Sequence, residues 1–126
     1  MKRIASIQDI SCLGRCSLTV ALPILSAAGL ETSVLPTAVL STHTGGFTGM
    51  TFRDLTQDLP EIFAHWKTLD ITFDAIYTGY LGSDKQVALI EQLFDLFGSE
   101  QTLLVVDPVM VATSGSKLLQ DSAIQI

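Results

Sequence analysis

The sequence predicts an α/β fold: a mostly parallel sheet flanked by helices. Three observations lead there. Short β-rich runs alternate with stretches of helical periodicity along the chain. The last β-rich run, residues 102–106, is continuously apolar, as expected of a strand buried on both faces. Polar or glycine-rich clusters follow four of the predicted strands, and ligands of open α/β sheets gather at such ends.

Residues 3–7 read as the first strand, and residues 8–15 as a polar-to-glycine turn. Leu18, Leu22 and Leu25 then recur at helical spacing, with Gly29 as a natural stop. Pro23 fits that helix only near its first turn or at a kink. Residues 32–40 are rich in Val, Thr and Leu and form a second strand, in which Pro36 marks an edge or a bulge. A glycine-rich loop runs to about residue 49. Leu55, Leu59, Ile62, Phe63 and Trp66 make one face of an amphipathic helix. Pro60 interrupts it, so a turn followed by a shorter helix is expected.

Residues 73–78 form the next strand and end in Gly79-Tyr80-Leu81-Gly82. Ser83 and Gln86 have the spacing of a capping box. Val87, Ile90, Leu93, Phe94 and Phe97 supply the helical face that follows, and Gly98 ends it. The strand at 102–106 runs into Asp107-Pro108, and residues 118–126 begin another helix. No repeat or linker divides these 126 residues, which make one domain's worth of chain with 48% hydrophobic content for a core.

The net charge of −6 argues against non-specific nucleic-acid binding, which needs Lys and Arg on phosphates. A small phosphorylated ligand remains compatible, because backbone N–H groups can hold one. No apolar run reaches the ~18–20 residues of a membrane helix. Met1-Lys2-Arg3 is basic, but the apolar stretch after it is too short for a signal-peptide core. A cytoplasmic protein without membrane contact is the expectation. Cys12 and Cys16 match neither a Cys-x-x-Cys redox pair nor a zinc site, and read as reduced thiols near a buried turn. His65 beside the apolar helical stripe reads as a solvated or capping residue.

The candidate chemistry lies in four clusters: Gln8-Asp9, residues 41–46, residues 78–82 and residues 107–115. In a parallel sheet all four share one edge and assemble a pocket from distant sequence. Ser41-Thr42-His43-Thr44-Gly45-Gly46 packs three hydroxyls, an imidazole and two glycines into six positions. Such a loop can read hydroxyl, carbonyl or ring-nitrogen groups, or it is a plain surface loop. Asp107 can bind Mg2+ directly or through water, or cap the following turn. Tyr80 can stack on an aromatic ligand or pack under the loop. Asp9 can accept a hydrogen bond from a ligand hydroxyl or ring N–H, or cap the turn before the first helix. Neither Gly-x-Gly-x-x-Gly nor Gly-x-x-x-x-Gly-Lys-Ser/Thr is present, which disfavours a Rossmann dehydrogenase and a P-loop nucleotidase.

These clusters resemble the amino-terminal half of a vitamin kinase of the ribokinase-like superfamily, of the pyridoxal (pyridoxine, pyridoxamine) kinase type. The resemblance rests on Gln8-Asp9-Ile10-Ser11 with Gly14, Ser41-Thr42-His43-Thr44-Gly45, Thr78-Gly79-Tyr80-Leu81-Gly82-Ser83 and Asp107-Pro108-Val109-Met110. It implies Mg2+- and ATP-dependent phosphorylation of the hydroxymethyl group of a pyridoxal-type ring, as in vitamin B6 salvage. It implies that Asp9, His43, Thr44 and Tyr80 line the substrate ring, and that Asp107 lies near the cation and the ATP phosphates. The family often dimerises, so a homodimer is a further expectation.

Two departures qualify the likeness. Pyridoxal kinases usually follow Asp-Pro-Val-Met/Leu with Gly-Asp, whereas Val111-Ala112 stands here. Residues 107–119 look more like hydroxymethylpyrimidine kinase, the sister enzyme of thiamine synthesis. The family's other half, with its Gly-Thr-Gly-Asp-like turn, has no counterpart; Ser114-Gly115-Ser116 lacks the adjacent acid. That turn supplies the general base and the anion hole, each contributing factors of ~100 to 10,000. The expectation is therefore an incomplete ribokinase-like domain with no catalytic base of its own, inactive alone, with an incompletely covered sheet edge. The alternatives are a hydroxymethylpyrimidine kinase and a non-catalytic ligand-binding fragment.

Overall fold

The structure is a computed structural model and describes residues 1–79, 81 and 83–107. Among these residues five strands form one sheet in the order β3-β2-β1-β4-β5. They are β1 (Arg3–Leu13), β2 (Glu31–Thr42), β3 (Phe52–Asp54), β4 (Ala75–Thr78) and β5 (Leu103–Val106). β1, β2, β4 and β5 run parallel, and β3 alone is antiparallel. The helices are α1 (Leu18–Ala27), α2 (Leu59–Lys67) and α3 (Asp84–Phe97), with a 3-10 turn at Thr56–Asp58.

β1 continues well past residue 7, and the expected turn at residues 8–15 shrinks to its end. Ile10 pairs with Val39, Ser11 with Leu40 and Leu13 with Thr42. Gln8, Asp9 and Ser11 have the polarity of a turn but are buried strand residues. The register between β1 and β2 shifts between Gln8 and Ile10, next to Pro36. Pro36 stands opposite Gln8 at this irregularity, the kind of interruption in a ladder that accepts a residue with no N–H to donate.

The core lies between the sheet and two helices. Ala5 and Ile7, two apart on β1, share a face and pack with Leu35 and Ile76 against Leu59 and Phe63 of α2 and Ile90, Leu93 and Phe97 of α3. Trp66, Phe73 and Phe97 close one end, with ring centroids 5.6–6.3 Å apart. The interruption expected at Pro60 is the 3-10 turn, with Pro60 in the first turn of α2, where its missing N–H is harmless. Ser83 caps α3 by accepting from the Gln86 backbone N–H. Gln86, itself buried, donates through Nε2 to Thr37 O at 3.1 Å and Thr56 Oγ1 at 3.0 Å, tying α3 to β2 and the 3-10 turn.

α1 packs on β1 and β2 and carries Pro23 in its interior, neither near the first turn nor at its end. Of Leu18, Leu22 and Leu25 only Leu18 is buried. β5 also departs from expectation. Its four residues are 39–62% exposed rather than buried on both faces, because among the described residues β5 meets only β4. The reading of residues 118–126 as a helix lies outside the described residues. Among those described, no helix is long and apolar enough to cross a membrane.

Candidate functional site

Three backbone hydrogen bonds draw the carboxyl ends of the parallel strands together. His43 N donates to Leu13 O at 2.8 Å, Gly79 N to Ile7 O at 3.0 Å, and Asp107 N to Thr78 O at 3.0 Å. They extend the ladders one step past the sheet and hold the four chain exits side by side. A cleft of ≈ 790 Å³ opens there.

Asp9, His43, Thr44 and Asp107 all line this cleft. The sequence clusters at Gln8-Asp9, in the glycine loop, at Gly79 and at Asp107 thus share one cavity. Tyr80 lies outside the described residues. Part of the lining is polar. Asp9 is only 6% exposed, and its Oδ1 is buried with no hydrogen-bond partner. Apolar side chains line the cleft as well: Val20 and Ile24 of α1, Leu40 of β2, Met50, and Phe52 of β3. A flat ring with a few polar substituents suits such a mixed lining.

Glycines fix two of these positions. Gly14 has φ +90°, and a Cβ there would stand 3.0 Å from His43 Cβ, so the β1–α1 turn rests against the histidine. At Gly79 a Cβ would meet Gln8 Cγ at 2.9 Å and Cδ at 3.0 Å. Gln8 also donates through Nε2 to Ser6 Oγ at 3.3 Å, so its amide is seated on both sides. The glycine loop is closed by Ser41 N donating to Thr51 O at 3.1 Å and Thr51 N to Ser41 Oγ at 2.8 Å. The turn into α1 holds Ser17 at φ 51°, a strained value for a residue with a side chain, beside the cleft.

Sequence reasoning did not single out the apolar lining. Two signals pointed to it: α1 is apolar nearly all round, and Met50 and Phe52 follow a polar loop as large side chains with no core to enter. Arg15 and Cys16 line the cleft as well. Cys12 and Cys16 are free thiols, but not near a buried turn: Cys12 is exposed near the end of β1, and Cys16 is half-buried in the exposed turn before α1. His65 is exposed, as a solvated histidine should be.

Residues 24–126 match the phosphomethylpyrimidine kinase family. The chain belongs to that family. Its fold matches solved members: a structure assigned as a phosphomethylpyrimidine kinase from Bacteroides thetaiotaomicron, in an orthorhombic form with pyridoxal, superposes with a TM-score of 0.88 at 45% identity. That match covers 98% of this chain and 43% of the other. Pyridoxal kinase from Lactobacillus plantarum superposes with a TM-score of 0.80 at 36% identity over 90% of this chain and 40% of that one. The thiamine biosynthesis multifunctional protein ThiED of Corynebacterium glutamicum is 32% identical over 124 residues, 96% of this chain and 15% of that protein. The chain therefore spans well under half the length of these relatives. Its fold is that of the pyridoxal and phosphomethylpyrimidine kinases.

Among the described residues, no group of three or more His, Cys, Asp or Glu is placed to share a metal ion. Mg2+ in phosphoryl-transfer sites keeps several waters and takes one or two carboxylates plus substrate phosphates. Asp107, exposed at the cleft, fits that sparse donor set as a single carboxylate.

Proposed function

We propose that this chain supplies the substrate-binding, amino-terminal part of a single ribokinase-like domain, in a cytoplasmic enzyme that phosphorylates the hydroxymethyl group of pyridoxal, pyridoxine or pyridoxamine with ATP. One observation carries the reading. Asp9, His43, Thr44 and Asp107, far apart in sequence, line one cleft at the ends of parallel strands. The 45% identity to a protein solved with pyridoxal supports the choice of ring.

On this reading His43 and Thr44 meet the ring's polar substituents, for which imidazole and hydroxyl serve as donors or acceptors. Asp9 faces the ring edge, and Tyr80 belongs to the same set. The apolar lining of Val20, Ile24, Met50 and Phe52 covers the ring and excludes water. Asp107 would hold Mg2+ together with the nucleotide phosphates; the bound cation supplies neutralisation of phosphate charge. The substrate hydroxyl attacks the γ-phosphate in line, and the chain's part is to hold that hydroxyl in position. We assign no general base among its residues.

A second reading is a hydroxymethylpyrimidine substrate, favoured by the family match over residues 24–126 and by the ThiED relative. Thermal-shift titration separates the two. Pyridoxal should raise the melting temperature more than hydroxymethylpyrimidine does; the opposite order supports the second reading. Incubation with ATP, Mg2+ and pyridoxal should give binding without robust turnover. Fast turnover would contradict the assignment of no base.

A further inference from the structure

We propose that Asp9, Thr37 and Thr78 bind internal water, on the order of one or two molecules, between the sheet and the start of α3. The inference lies beyond the reading of the cleft and does not depend on which ring the cleft takes.

Among the described residues three buried side-chain oxygens have no hydrogen-bond partner: Asp9 Oδ1, Thr37 Oγ1 and Thr78 Oγ1. They fall in one corner of the fold. Ile7 of β1, Leu35 of β2 and Ile76 of β4 belong to the core beneath α2 and α3. Asp9, Thr37 and Thr78 each stand two residues further along the same strands, and so on the same face. β1 is the middle strand of the three. Opposite Asp9, β2 has two residues, Thr37 and Ala38, where β1 has one. Such an irregularity disrupts the ladder locally. Thr78 stands beside Ile7, on the diagonal from Asp9. Gln86 donates through Nε2 to Thr37 O at 3.1 Å, which places the start of α3 over this corner. Asp9, Thr37 and Thr78 are 6%, 1% and 0% exposed.

A buried polar oxygen without a partner is costly, and native folds satisfy nearly all of them. Neighbouring strands lie about 4.8 Å apart, too far for one hydrogen bond but within the span of two made through a water. A second water serves the longer diagonal to Thr78. The donor set favours water over a metal ion. An ionised carboxylate only accepts, whereas a threonine hydroxyl both donates and accepts. Water donates to Asp9 and accepts from the hydroxyls; a cation takes lone pairs and leaves both hydroxyl protons unserved. Asp9 also lines the cleft, so water behind it fixes the carboxyl from the core side.

Oxygen-17 relaxation dispersion tests this, because it counts long-lived internal waters and is blind to hydroxyl protons. Thr37→Val and Thr78→Val keep the shape and remove the hydroxyls. The double variant should lose the signal of about one water or more per molecule. Its melting temperature should fall by about 4 °C or more, because Asp9 Oδ1 loses its bridge. An unchanged water signal overturns the inference. So does an equal or higher melting temperature, the mark of hydroxyls that had no partner to lose. Replacing sodium and potassium by choline at constant ionic strength should leave the wild-type melting temperature unchanged; a fall overturns water in favour of an alkali cation. Should the double variant not fold, wild type decides alone. Overhauser cross-peaks from water to the backbone amides of Asp9, Thr37 and Thr78 support the site, and their absence overturns it.

Discussion

Single atoms decide the shape of the cleft. Gln8 is held between Ser6 Oγ and the bare backbone of Gly79. A methyl group on residue 79 would displace the Gln8 amide toward the cavity, because the other side is filled. Gly79→Ala should cost only about 1 kcal/mol in chemical denaturation, since the far end of a side chain can yield. It should nevertheless weaken pyridoxal binding about tenfold by calorimetry, because the amide then occupies ligand space. Unchanged affinity would show that Gln8 does not set the wall. At this scale the sequence was legible where chemistry is unusual: an acid after an apolar strand, and a histidine among hydroxyls and glycines. Val20, Ile24, Met50 and Phe52 escaped notice because apolar residues default to the core, and only the chain's path shows that these face a cavity.

Elements were legible where periodicity was strong. α3 and the core stripe of α2 follow their apolar repeats closely. The carboxyl end of β1 was not, because Gln8, Asp9 and Ser11 are polar strand residues that line the cleft. β3 has three residues and no distinguishing pattern, and exists by pairing with Ala38–Leu40. Two contacts hold these elements in place. Gln86 ties the start of α3 to β2 and the 3-10 turn from a buried position. Gln86→Ala leaves the Thr37 carbonyl without that donor and should cost about 2 kcal/mol in urea denaturation. At the other end of the sheet, Asp74 Oδ2 accepts from Arg3 N at 2.8 Å, while Asp74 N donates to Arg3 O and Asp74 O accepts from Leu103 N. The Arg3 N–H, with help from Lys2, holds the Asp74 carboxyl below its ordinary value of 3.8, against a smaller opposing effect of burial. A lowered folded-state pKa stabilises fully above the ordinary value and loses that contribution as pH falls through the folded one. Asp74→Asn should therefore be less stable than wild type at neutral pH, and the two should converge as pH falls below the ordinary carboxylate value and through the lowered folded one. A difference that persists unchanged in acid would assign the effect to packing instead.

For the molecule as a whole, alternation of strands and helices was sufficient to foresee the fold, and the four polar tips to foresee a shared cleft. The burial of β5 was not foreseeable from its own residues. Leu103, Leu104, Val105 and Val106 have the composition of a doubly covered strand, yet among the described residues only β4 flanks them. Burial depends on what stands beyond a strand, which its composition does not encode. Exposed apolar edge strands promote association. Light scattering should show concentration-dependent association that Leu103→Lys and Val106→Lys suppress; the same association in the double variant would place the contact elsewhere. The central claim, that separate strand ends gather around one flat ring, is tested most directly by titrating pyridoxal into the isotope-labelled chain and following backbone amides by NMR. The account predicts that the shifted amides fall together at Gln8, Asp9 and Ser11, at His43 and Thr44, and at Gly79 and Asp107. Shifts confined to one of these segments, or scattered away from the cleft, would contradict it.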